Sequence, residues 1–197
     1  MRIIHITDPG SLEALFRFRH HVYVDELGWF SNMGGILMDE FDEISHNYAA
    51  YDDTGKVIGS VRVVPDNPLG LPIERCFPLK GYRDGKRLVE ISRLAVSSQH
   101  RASRLLIWLI RAAYQCAVRV GATHIVGDAY VNDAQGAMYE KFGYQRLGVP
   151  FFDPSYICAV PVIAFGASLS ALSEELPSKH PTLHRFFIAC DSEIDHG

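Results

Sequence analysis

LVEISRLAV, residues 88–96, reads as a buried strand into which charge has been written. Its apolar and hydroxyl-bearing residues suit the interior of a sheet, yet Glu90 and Arg93 stand within it. Burying a lone charge is costly, so each needs a partner from elsewhere in the chain. Residues three apart on a regular strand point to opposite faces. Either the two charges serve different faces, or a bulge re-aims one of them.

Working outward, NYAAYDDTGKVIGSVRVVP upstream is a hairpin, two apolar runs joined by the turn Asp52-Asp53-Thr54-Gly55. RIIHIT predicts a first strand, and Asp8-Pro9 opens a helix over residues 11–27 whose period puts Arg19 and Tyr23 on one face. GWFSNMGGILMDEFDEIS is an irregular, glycine-bearing loop of the kind found beside sites, and DNPLGLPIERCFPL is a proline-rich excursion. Downstream the pattern predicts a helix over 98–120, the strand THIVGDAY, the helix DAQGAMYEKF and the strands YQRLGV and ICAVPVIAF. Hairpin strands followed by strand–helix–strand–helix–strand imply an α/β sheet.

A chain of 197 residues suits one domain, or one domain with a tail, and 48% hydrophobic residues can build its core. The net charge of −4 gives no general attraction to nucleic acid or anionic membranes. The opening MRIIHITDPG lacks a secretory pattern, and YICAVPVIAFGASL, broken by Pro161, is too short to span a bilayer. Cys76, Cys116, Cys158 and Cys190 are scattered without CxxC or histidine spacing. Neither a metal site nor a disulfide framework is expected, and a reducing cytoplasm fits.

The segment THIVGDAYVNDAQGAMYEKFGYQRLG, with Asn132 in its loop, resembles the C-terminal half of the GNAT acyltransferases. That resemblance implies a mixed, splayed central sheet of about seven strands with helices on both faces. It implies an acyltransferase domain over residues 1–166, with 167–197 as a helical tail packed on it. It also makes Tyr139 a candidate to protonate a departing thiolate; the competing role is packing. Where the superfamily carries a glycine-bearing phosphate turn, this chain has QHRASR, with Ala102 and Arg104 at the glycine places. Arg101 and Arg104 are then candidates for a single phosphate, such as that of a phosphopantetheine arm, against a bland reading as solvated helix-start charges.

FRFRHHVYVDELGW, MDEFDEISHNY, GSVRVV and VEISRLAV, in that order, resemble the acyl-homoserine-lactone synthases and the related long-chain N-acyl amino acid synthases. The shared pattern falls on Arg19, Val22, Tyr23, Trp29, Asp39, Asp42, Arg62, Glu90, Ser92 and Arg93, with Tyr23 replacing a phenylalanine. The likeness runs over residues 11–165 and implies a bulge in the strand that opens a slot for a pantetheine arm. It implies aminolysis of a thioester, with Glu90 as proton acceptor, Tyr139 as proton donor and amides near Leu94 and Val96 at the oxyanion. Arg19, Arg62, Asp39 and Asp42 are the expected partners of Glu90 and Arg93; a purely structural ion-pair cluster is the alternative. No tightly bound cofactor is implied. The donor is an acyl carrier protein thioester, or acyl-CoA, and the acceptor an amino acid, with tyrosine favoured. An autoinducer synthase using S-adenosylmethionine and a non-catalytic carrier-binding module are the other readings. Val61, Val63, Ile107, Ile125, Met138, Phe142 and Phe151 are apolar enough to line an acyl tunnel, with core packing as their competing role.

Overall fold

The computed structural model of the chain describes residues 1–32, 34–131, 133–179, 181–188 and 194–196; Asn132 and Cys190 lie outside them. Strand β1 (Arg2–Ile6) leads to helix α1 (Pro9–His20), whose N-cap Asp8 accepts from the Ser11 amide at 2.9 Å. The helix does not continue regularly to residue 27. It widens into a π-helical segment, His21–Glu26, and the Trp29 amide then returns to the Tyr23 carbonyl at 2.9 Å. The hairpin forms as expected from β2 (His46–Tyr51) and β3 (Val57–Pro65). A 3₁₀ turn, Pro72–Arg75, and the short helix α2 (Lys80–Arg83) precede β4 (Leu88–Val96). Helix α3 (Leu105–Arg119) starts later than expected, because residues 98–104 form a 3₁₀ turn and bends. Next come β5 (His124–Tyr130), α4 (Asp133–Lys141), β6 (Gln145–Phe152) and β7 (Pro161–Ser168). Pro161 opens β7, so the strand begins after the ICAV run, and it extends through Ser168. The tail adds α5 (Leu169–Lys179), α6 (Pro181–Ile188) and the two-residue β8 (Ile194–Asp195).

One eight-stranded sheet runs β6-β7-β5-β4-β3-β2-β1-β8. The count exceeds the expected seven because β8 pairs parallel to β1, Ile3 opposite Ile194. Helices cover both faces. Tyr48, Ala50, Val61 and Val63 pack towards α3, while Ala49 and Val57 pack with Leu15 and Phe18 of α1. From the tail, Phe186 meets Trp108 and Phe187 meets Tyr114.

The centre of the sheet holds the expected bulge. Ser60 pairs with Ala95 and Arg62 with Ser92, so β4 spends one residue more than β3 over this step. Arg93 lies there with φ +51, the left-handed region, and its carbonyl accepts from Ser60 Oγ at 2.8 Å. The extra residue reverses the alternation: Leu88 packs with Val64 on one face, and beyond the bulge it is Ala95 that packs on α1 and Val96 towards α3. On its other side β4 pairs with β5 only from Leu88 to Glu90. At this fork a Cβ on Gly127 would lie 2.6 Å from the Ile91 carbonyl oxygen, so only glycine fits.

Candidate active site

The fork opens into a cavity of about 760 Å³. Its walls come from both faces of the sheet: Val22, Tyr23 and Trp29 from the α1 side, Leu106, Ile110 and Phe165 from the α3 side. The residues first considered for a tunnel do not line it. Val61, Val63, Ile125 and Phe142 are core, Phe151 packs in a separate cluster, and Ile107 and Met138 pack against the core. Val61 and Val63 belong to β3, one strand removed from the fork, and their face of the pleat packs into the core beneath α3.

One wall is a ladder of charge. Arg19, fully buried, donates to Asp42 at 2.7 Å and to Asn47 at 2.6 Å. Arg62 donates to Asp39 at 2.6 Å and to Ser92 Oγ at 3.1 Å, and lies 3.1 Å from Asp42. Arg93 donates to Asp39 at 2.9 Å and stacks over Phe30 with its Cζ 4.8 Å from the ring centre. Pairing register explains the grouping: Asn47, Arg62 and Ser92 lie opposite one another across three strands. Burial raises the Asp39 carboxyl, but Arg62 and Arg93 outweigh it and hold it well below the usual carboxylate range. Burial, with the neighbouring Arg62 and Arg93 charges adding to it, brings Arg19 down to about 10 against the pull of Asp42. Asp39, Arg62, Ser92 and Arg93 line the cavity; Arg19 and Asp42 support this wall from behind.

Glu90 is not part of that ladder, contrary to the expected pairing. Its Oε2 accepts from the Ile73 backbone amide at 2.7 Å, and the residue is 1% exposed while lining the cavity. Burial, helped by the Asp128 charge, drives its carboxyl up to about 8, with the Ile73 hydrogen bond opposing and Arg62 and Arg93 adding a weaker pull down. The bulge is the reason for the separation, because it sends the Arg93 side chain to Asp39.

The other expected residues divide. Tyr23 lines the cavity and donates to the Leu94 carbonyl at 3.1 Å; Leu94 and Val96 line it too. Trp29 stacks in an aromatic group with Tyr23, Tyr130 and Tyr156. Tyr139 lines the cavity against Tyr144 and Phe165, and burial pushes its phenol up to about 12. Arg101 borders the cavity but is paired with Glu26 and donates to the Val96 carbonyl at 3.2 Å. Arg104 is exposed and does not line the cavity, because the later start of α3 leaves it on the outer turn. Among the lining residues not expected from the sequence are Asp128, Asp153 and Tyr156. Burial, then Asp153, raises the Asp128 carboxyl to about 6. A carboxylate inside the apolar run THIVGDAY was the available signal, the same one that exposed Glu90.

Residues 14–168 match the family described as N-acyl amino acid synthase FeeM. The chain belongs to that family. Members of the FeeM family are N-acyltransferases, which agrees with a cavity holding carboxylates, guanidinium groups and apolar walls. Solved structures agree in fold. The FeeM structure from uncultured soil microbes superposes with a TM-score of 0.73 at 18% identity, covering 93% of this chain and 96% of that one. The CoA-dependent acyl-homoserine lactone synthase BjaI, with SAM and isopentyl-CoA, gives 0.75 at 20% identity, covering 100% and 93%. N-acetyltransferase 8 of Rattus norvegicus is 23% identical over 124 residues, 62% of this chain, and the chain spans half the length of that relative. No helix among the described residues is long and apolar enough to cross a membrane.

Proposed function

We propose that this FeeM-family chain moves a long-chain acyl group from the phosphopantetheine thioester of an acyl carrier protein to the α-amine of an amino acid, with tyrosine as acceptor. The observation that carries the reading is Glu90 opening onto the cavity at the β4–β5 fork, with a guanidinium wall on one side and apolar walls beyond. Arg62 and Arg93 are the groups to hold an acceptor carboxylate, and the aromatic group at Trp29 suits an aromatic side chain.

In the proposed reaction the ammonium loses a proton to Glu90, directly or through a water. The amine nitrogen then bonds to the thioester carbonyl carbon, and the C–S bond breaks. A Glu90 carboxyl raised to about 8 comes much closer to the pKa of an α-ammonium than an ordinary carboxyl does, so the transfer is less uphill. Tyr139, which burial keeps as a neutral phenol, gives its proton to the departing sulfur and regains one as the second proton leaves the attacking nitrogen, giving the amide and a free thiol. Amides at Leu94 to Val96 face the oxyanion, and holding amine and thioester together supplies much of the rate. Arg101 can meet the donor's phosphate only by exchanging Glu26 for it. The free thiols of Cys76, Cys116 and Cys158 suit a reducing cytoplasm as the setting.

The test is to incubate the purified chain with long-chain acyl carrier protein or acyl-CoA, supplying amino acids singly or S-adenosylmethionine. Mass spectrometry of N-acyltyrosine, formed from the carrier thioester in preference to CoA, is the expected result. An acyl lactone with methylthioadenosine would replace this reading by the autoinducer synthase. Carrier binding without any acylated amine would replace it by the non-catalytic module.

A further inference from the structure

We infer that Glu74, clamped by Arg83, is a positioning residue: it orients the Ile73 amide that donates to the Glu90 carboxylate. Glu74 does not line the cavity, whereas Pro72 and Ile73 do. Its Oε2 accepts from the Leu71 amide at 2.9 Å, and its own amide donates back to the Leu71 carbonyl at 2.9 Å. This reciprocal closure fixes the start of the 3₁₀ turn. Pro72, whose ring locks φ and which has no N–H, then ties the direction of the Ile73 amide to that of Leu71. Two amides flanking one proline thus serve two carboxylates, Leu71 serving Glu74 and Ile73 serving Glu90 at 2.7 Å.

Arg83 holds the device from outside. Its Nε donates to Glu74 Oε1 at 3.1 Å, Nη2 pairs with Glu74 Oε2, and Nη1 pairs with Asp66. Burial pushes Glu74 up, but Arg83 and the Leu71 amide outweigh it and keep the carboxyl below its ordinary value, so it is ionised throughout the working range. Gly70, at φ +79, completes the fit, since a Cβ there would come within 3.1 Å of Glu74 Oε2. A backbone donor on Glu90 favours its ionised form, and loosening the turn weakens that donor.

The catalytic consequence rests on the proposed role of Glu90 as proton acceptor; the geometric one does not. The experiment separates them by titrating the Glu90 side-chain carbon in protein labelled with ¹³C at glutamate Cδ, the signal being assigned by its loss in Glu90→Gln. Glu74→Ala is expected to raise the Glu90 midpoint by about one unit. Glu74→Gln keeps an acceptor for the Leu71 amide and restores most of the shift, while Arg83→Met gives a smaller rise. kcat/KM at neutral pH should fall about tenfold in Glu74→Ala, in step with the ionised fraction. A midpoint unmoved in the folded variants overturns the inference, and if Glu74→Ala does not fold, Arg83→Met decides. A moved midpoint with an unmoved rate profile upholds the positioning and removes Glu90 as base.

Discussion

Asp39 and Glu90 face one cavity, Asp39 between the guanidinium groups of Arg62 and Arg93, Glu90 hydrogen-bonded to a backbone amide with no arginine in contact. Both are carboxyls withdrawn from water, and the withdrawal pushes both up. For Asp39 two ion pairs outweigh burial; for Glu90 one neutral donor does not. The difference assigns the walls: a permanently charged one suited to anchoring ions, and one whose charge changes near neutrality and suits proton transfer.

Glu90→Gln tests the titrating wall most directly, since it keeps the shape and the acceptor for Ile73 but cannot take a proton. A loss of about 10²–10⁴-fold in kcat is expected with a native far-ultraviolet spectrum and little change in acceptor KM. Retained turnover would move the base elsewhere, with Asp128 the next carboxylate in the cavity.

The charged wall is broken by Arg19→Met, which takes from Asn47 and from one oxygen of Asp42 the guanidinium they accept from. Removing one partner of a buried pair costs about 3–5 kcal/mol. Urea unfolding should show that loss, with the acceptor KM rising as Arg62 and Asp39 relax. A variant as stable as the parent would mean the ladder carries no net energy.

The smallest effect sharpens the contrast through pH. Glu90 binds its proton more tightly folded than unfolded, so its contribution is fully present below the ordinary value of 4.5 and lost as pH rises through about 8. Asp39 has the opposite sign: its contribution is present above 3.8 and lost on acidification below it. Between pH 5 and 8.5 the parent should therefore lose stability that Glu90→Gln does not lose. Identical slopes for the two proteins would contradict a raised Glu90.

Much of this contrast was readable in advance. Charges inside an apolar run announced a site, and their spacing of three on a strand demanded either two faces or a bulge. Arg19, Asp39, Arg62 and Arg93 could be expected together because the resemblance to the synthases set them at one site and none of them can be buried unpaired. The partner of Glu90 could not, since the Ile73 amide is a backbone group that any residue but proline would supply. Arg101 looked like a phosphate ligand because its tie to Glu26 joins residues 75 positions apart.

The amino-acid order by itself determined seven of the eight strands described, the hairpin turn, the capped first helix and the identity of the charged residues, because pleat, period and capping are local properties. Tertiary structure alone decided which side of the bulge each charge serves, which apolar residues are core or cavity wall, and that residues 194–195 complete the sheet. Those outcomes depend on strand register and on where β4 and β5 part, and contacts between distant segments leave no periodic trace in the chain.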